Sequence, residues 1–165
     1  MELVKYPDPI LNKPAVEVVD FGEELSRTAE SMLELMYKCK GLGLAGPQAG
    51  LDRMIVVINP SGKPEDELVL VNPRLVEATG EARYEEGCLS FPGIYAKIIR
   101  PEDVTCVART TNGREISFGC DGLLARIVQH EIDHLTGVLL VDRMSPAEKK
   151  THQRALKRLR KEYKG

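Results

Sequence analysis

Residues 121 to 137, DGLLARIVQHEIDHLTG, constrain the chain more than any other stretch. Leu123, Leu124, Ile127, Val128, Ile132 and Leu135 fall at helical spacing, Asp121 opens the pattern and Gly137 closes it. On that helix His130 and His134, two of the chain's three histidines, stand four residues apart and leave the same face. Both rings can therefore reach one metal ion. Glu131 lies beside that face, placed to touch a water on the metal rather than the metal itself.

Two histidines leave a third ligand to find. The long metzincin pattern puts a further His three residues after Gly137, where this chain has Leu140. Asp142, Glu148, His152 and Glu162 follow, the last three inside a basic helix, and none stands in a site-like context. Upstream, EEGCLSFPG at 85–93 sets Cys88 after Gly87, where a glycine lets the backbone approach an ion closely. A thiolate with two imidazoles leaves a fourth position open, as at a catalytic metal. Taken alone, Cys88 reads more readily as a small buried hydrophobe, as do Cys39, Cys106 and Cys120, and an HExxH pattern can be a surface accident.

The remaining periodicities surround this helix with mixed structure. Residues 1–19, with Pro7, Pro9 and Pro14, read as an extended arm. Asp20 and Glu23 resemble a capping box, and the apolar spacing after them predicts a helix over about 22–39. From 54 to 119 short runs (MIVVI, ELVLV, RLVEA, YAKIIR, VTCVART, EISFG) predict antiparallel strands, with Asn112-Gly113 as a hairpin turn. Ser145-Pro146-Ala147-Glu148 predicts a last helix from 146 to about 163. No repeat or linker divides the 165 residues, so one domain over 1–165 is expected.

Composition limits the setting. No apolar run approaches the roughly 20 residues that cross a bilayer, so no membrane insertion is expected. MELVKYPDP does not read as a secretory signal, which points to the cytoplasm. There the four cysteines, with no C-x-x-C pair, are expected to be free of disulfides. Residues 146–165 carry eight Lys/Arg against two Glu, a balance of +6 that leaves −8 for the body. The last helix can dock on the acidic body through Leu156, Leu159 and Tyr163, or present Lys149, Arg154, Lys157, Arg158 and Lys161 to ribosomal RNA phosphates.

Three stretches in order, GLGLAGPQ (41–48), EGCLS (86–90) and QHEIDHL (129–135), strongly resemble the signature motifs of the peptide deformylases. The likeness extends to YPDPIL, LVNP and GVLLVDR and covers nearly the whole chain. It implies an α+β fold, with antiparallel β-sheets packed around a central HExxH helix, a further N-terminal helix and a C-terminal helix. It also implies a metal-dependent hydrolase that removes the formyl group from N-formylmethionyl nascent peptides and releases formate, with no DNA partner.

By the same resemblance Cys88, His130 and His134 hold the metal. Glu131 acts as base and then acid, and the Gln48 amide and the Leu89 N–H receive the oxyanion. The implied native ion is Fe²⁺, with Zn²⁺, Ni²⁺ or Co²⁺ as substitutes. Peptide contacts are expected from Gly43, Leu44, Glu86, Gly87, Leu123, Arg126 and Ile127, for several of which core packing or solvation is the plainer alternative. Asp133 is expected either to pair with Arg100 or to be solvated. One departure is visible: Ala45-Gly46 stands where the family usually has two alanines, and the lost methyl is expected to loosen the loop. The alternatives are another HExxH metallopeptidase with a downstream ligand, or an inactive metal-binding relative. GLGLAGPQAG does not read as a phosphate-binding loop, because no G-K-[ST] follows it and no βαβ pattern surrounds it.

Overall fold

In the computed structural model, which describes Met1–Gly165, helices and antiparallel sheets alternate along the chain. The N-terminal arm is interrupted by one 3-10 turn, Pro9–Asn12, where Asp8 Oδ1 accepts the Ile10 N–H at 3.0 Å. Helix α1 follows at Glu23–Lys38, close to its expected span. Its start differs from the sequence reading: Gly22, at φ +125°, is the N-cap and no side chain caps it. The Gly22 N–H goes instead to Thr111 O at 2.7 Å, and the Ser26 hydroxyl donates to Thr111 Oγ1 at 2.9 Å. A loop distant in sequence thus anchors the start of α1, where Asp20 provides no cap.

Seven strands follow: β1 Gly43–Ala45, β2 Ile55–Ile58, β3 Leu68–Thr79, β4 Ala82–Gly87, β5 Tyr95–Arg100, β6 Asp103–Arg109 and β7 Glu115–Cys120. Five form one antiparallel sheet in the order β1-β2-β3-β6-β7, and β4 and β5 form a separate two-stranded ribbon. ELVLV and RLVEA are one strand, not two, with irregular register between Val71 and Arg74. Asn72-Pro73 lies at that break, where a residue without an N–H is tolerated. The Asn72 side chain clamps the N-terminal arm, donating to Val18 O and accepting the Val18 N–H, both at 2.8 Å. The expected turn forms, with Gly113 at φ +84° and its N–H on Thr110 O.

Helices α2 (Gly122–Leu135), α3 (Leu140–Arg143) and α4 (Pro146–Glu162) complete the chain. Strand β2 explains the layering, because alternate side chains leave opposite faces of a strand. Ile55 and Val57 pack with Leu25, Ala29, Met32 and Met36 of α1, whereas Val56 and Ile58 pack with Ile127, Val128 and Leu135 of α2. Helix α2 therefore lies between the five-stranded sheet and the ribbon, the central position expected of it. Ser145 Oγ caps α4 by accepting the Glu148 N–H at 3.2 Å. Leu156 and Leu159 of that helix are buried with Leu11, Phe91, Ile94 and Ile98, while its lysines and arginines stay exposed. Tyr163 is exposed rather than part of the stripe, and its hydroxyl donates to Asp8 Oδ2 at 3.1 Å. All four cysteines are free thiols.

Candidate active site

Burial of α2 brings His130 and His134 inside the molecule, with ring centroids 5.1 Å apart. Cys88 enters from the turn after β4, its Sγ 3.3 Å from His134 Nε2. The three donor atoms lie within 4.8 Å of one another, and no other cluster of such side chains gathers in the chain. The downstream candidates do not join them: His152 sits 3.4 Å from Glu148 on α4.

Glu86, the last buried residue of β4, organises the far side of His130. Its Oε1 lies 3.0 Å from His130 Nδ1, and its carboxylate also receives Arg100 at 2.7 and 3.0 Å and a close hydrogen bond from Arg126. Burial alone would raise this carboxyl, but the hydrogen bonds from His130 and Arg100, with their charges, outweigh it and hold it at about 2. Arg100 continues to Asp133 Oδ2 at 2.9 Å, and Arg143 takes both oxygens of Asp133. The Arg100 partner expected of Asp133 is present, and neither group is solvated.

Glu131 projects from α2 beside the donor group, and burial pushes its carboxyl up to about 7 despite the opposing charges of His130 and Arg100. Gly43 makes room for it: a Cβ there would stand 2.7 Å from Glu131 Oε1 and 2.9 Å from Ile127 Cγ2. Glu131 Oε2 and His134 Nδ1 are buried with no partner in the protein. Burial disfavours the charged form of both histidines. The Cys88 sulfur and Glu86 override it at His130 and raise that ring well above its ordinary value, while His134 is held well below. A thiol and two imidazoles converging on one point suit a divalent transition ion.

Gln48 sits in a 3-10 turn, Gly46–Ala49, after β1, and its Nε2 lies 3.7 Å from Cys88 Sγ. The same turn corrects the reading of Gly46. A Cβ at that position would lie 2.4 Å from Arg53 O and 3.2 Å from Leu51 O, so the loop closes tightly because the methyl is missing.

A cavity of about 550 Å³ opens onto these groups. Gly43, Gln48, Glu86, Gly87, Cys88, Leu89, Leu123, Arg126, Ile127, His130 and Glu131 all line it. Leu44 does not: its side chain is wholly buried in the core with α1, because alternation along β1 turns it away. Arg126 is not a solvated side chain, being 9% exposed, donating to Ile98 O and Ala82 O and lying over the Tyr84 ring. Sequence reasoning missed the role of Glu86 toward His130 and missed Ser90, whose only mark is its place in EGCLS.

Comparison with known proteins gives this geometry a family. The polypeptide deformylase family model matches residues 1–150. The chain belongs to the polypeptide deformylase family. A peptide deformylase of Acidobacterium capsulatum is 44% identical over 161 residues, which cover 96% of this chain and 93% of that relative. The Arabidopsis thaliana protein named peptide deformylase 1B, chloroplastic/mitochondrial, is 42% identical over 99% of this chain, which spans 61% of the plant protein's length. Among solved structures, a Plasmodium falciparum peptide deformylase superposes with a TM-score of 0.95 at 39% identity, covering 98% of this chain and 96% of that one. The chain is a hydrolase of the deformylase family, whose members depend on a metal and take the formyl group from the N-termini of new polypeptides. No helix is long and apolar enough to cross a membrane.

Proposed function

We propose that this chain performs the deformylase reaction as one catalytic domain, with Cys88, His130 and His134 as the metal ligands and Glu131 as the group that moves the proton. The observation that carries the assignment is the meeting of those three donors beside a buried carboxylate at the inner wall of the cavity. When bound, a divalent ion supplies Lewis acidity to water and to the formyl carbonyl. Glu131, near neutrality in its pKa, accepts the proton of the attacking water and later delivers it to the leaving amine. The Gln48 amide and the Leu89 N–H donate to the oxyanion, and the methionine side chain lies against Leu123 and Ile127. Thiolate and imidazole ligands support Fe²⁺ as the native ion, with Zn²⁺, Ni²⁺ or Co²⁺ able to replace it. The exposed basic face of α4 supports docking on ribosomal RNA, and the site of action is the cytoplasm.

The test is formate release from formyl-Met-Ala-Ser by anaerobically prepared Fe²⁺ protein, with Glu131→Gln and Cys88→Ser alongside. Glu131→Gln is expected to keep its metal and lose turnover, and Cys88→Ser to lose the metal. A fully metallated wild type that releases no formate would overturn the assignment.

A further inference from the structure

The Gln48 side chain is oriented by hydrogen bonds at both ends. Its Oε1 accepts the Ala45 N–H at 2.9 Å, which fixes the end of the amide that is oxygen. One Nε2 proton goes to Ser90 Oγ at 3.2 Å, and the nitrogen's other neighbour is Cys88 Sγ at 3.7 Å, on the side of the metal donors. Ser90 is completely buried. Its hydroxyl donates to Val4 O at 2.7 Å, so its lone pairs, not its proton, face Gln48. Two backbone bonds hold the same three segments together: Tyr6 N–H to Ser90 O at 2.9 Å and Val4 N–H to Gln48 O at 2.8 Å.

We propose that Ser90 is a positioning residue for deformylation: its hydroxyl, aimed by the Val4 carbonyl of the N-terminal arm, holds the Gln48 amide so that its second N–H faces the developing oxyanion. The inference rests on the reading of Gln48 as an oxyanion donor. A hydroxyl meets the need because it accepts on one side while donating on the other. Without it the amide keeps only the Ala45 N–H and the long contact to Cys88 Sγ, and the N–H on the metal side is aimed less well. An interaction made mainly in the transition state is lost from kcat, not from KM.

The experiment is a double-mutant cycle on the metal-loaded full chain: Ser90→Ala, Gln48→Ala and the pair, with kcat and KM for formyl-Met-Ala-Ser, metal content and thermal midpoint measured for each. Gln48→Ala is expected to lower kcat by about 10²-fold or more. Ser90→Ala is expected to lower kcat by about ten- to a hundredfold with KM nearly unchanged and the metal retained. In the Gln48→Ala background the Ser90 change should cost nothing further. An equal loss in both backgrounds overturns the proposal, since Ser90 would then only hold the loops together. Wild-type kcat in Gln48→Ala overturns the oxyanion reading beneath it. Should Ser90→Ala fail to fold, Ser90→Cys takes its place in the cycle. As a readout independent of turnover, the Gln48 side-chain NH₂ resonances of ¹⁵N-labelled protein should shift in the Ser90 variant, and an unchanged pair counts against the proposal.

Discussion

Glu86 Oε1 lies 3.0 Å from His130 Nδ1, and that contact leaves the other nitrogen of the ring to face the donor group. A carboxylate in this place fixes the tautomer and raises the basicity of the ring. Glu86→Gln is expected to weaken metal binding by about 10- to 100-fold, read by competition with a chelator. Glu86→Ala also strips a buried partner from Arg100 and Arg126 and should cost about 3–5 kcal/mol in denaturant unfolding. A Gln variant that holds its metal like the wild type would contradict the assignment.

Gly46 gives a second prediction. Its missing Cβ would press on Arg53 O, a backbone atom that cannot swing aside. Gly46→Ala should lose about 1–3 kcal/mol of stability and slow formate release, because the displaced turn carries Gln48. An unchanged unfolding midpoint would show that the loop has slack.

Arg126 and Leu123 line both the main cavity and a neighbouring one of about 260 Å³. The Arg126 side chain is thus part of the partition between them. Arg126→Ala is expected to join the two and shift the kcat/KM preference from formyl-methionine toward formylated residues with longer side chains. A stable variant with the wild-type preference would place the specificity wall elsewhere.

Cys106 is wholly buried, and burial pushes its thiol up to about 11, with Cys120 adding to the effect. Alkylation needs the thiolate, which at pH 8 is then on the order of one part in a thousand. Peptide mass mapping after brief iodoacetamide treatment should find Cys106 unmodified in the native protein and modified after denaturation. Half-buried Cys39 should react first.

The basic face of α4 calls for point variants, since truncation would remove Leu156 and Leu159 from the core. Replacing Lys149, Arg154, Lys157 and Arg158 with Gln should leave formate release intact and abolish ribosome co-sedimentation. In the wild type that association should fall steeply with salt. Association that ignores salt, or none at all, would end the ribosome reading.

How legible these features were depended on the range of the forces behind them. Helices α1, α2 and α4 showed in the spacing of Met32, Val128 and Leu156 because each buries one local stripe, and the motif residues stood out because ligand chemistry admits few substitutes. Strand β4 did not: ARYEEG is polar, and Glu86 is tolerable inside only because Arg100, Arg126 and His130 arrive from 14, 40 and 44 residues away. Strand β1 is three residues long and carries no period. Asp20 misled because a cap is a local signal, whereas the start of α1 is fixed by Thr111. Ser90 was invisible, since nothing in a sequence tells a serine that aims an amide from one that fills a turn.

Arg160 Nη1 donates to the Tyr6 hydroxyl at 2.9 Å across 154 positions of the chain. The arm bearing Val4 and Tyr6 is already held through its backbone by Gln48 and Ser90, and α4, the last element of the chain, adds a clasp over it from outside. That clasp, which joins the first residues to the last helix, therefore closes only once the whole chain is made. It is also the first thing surrendered when the arm peels away, well before the core gives up its own structure.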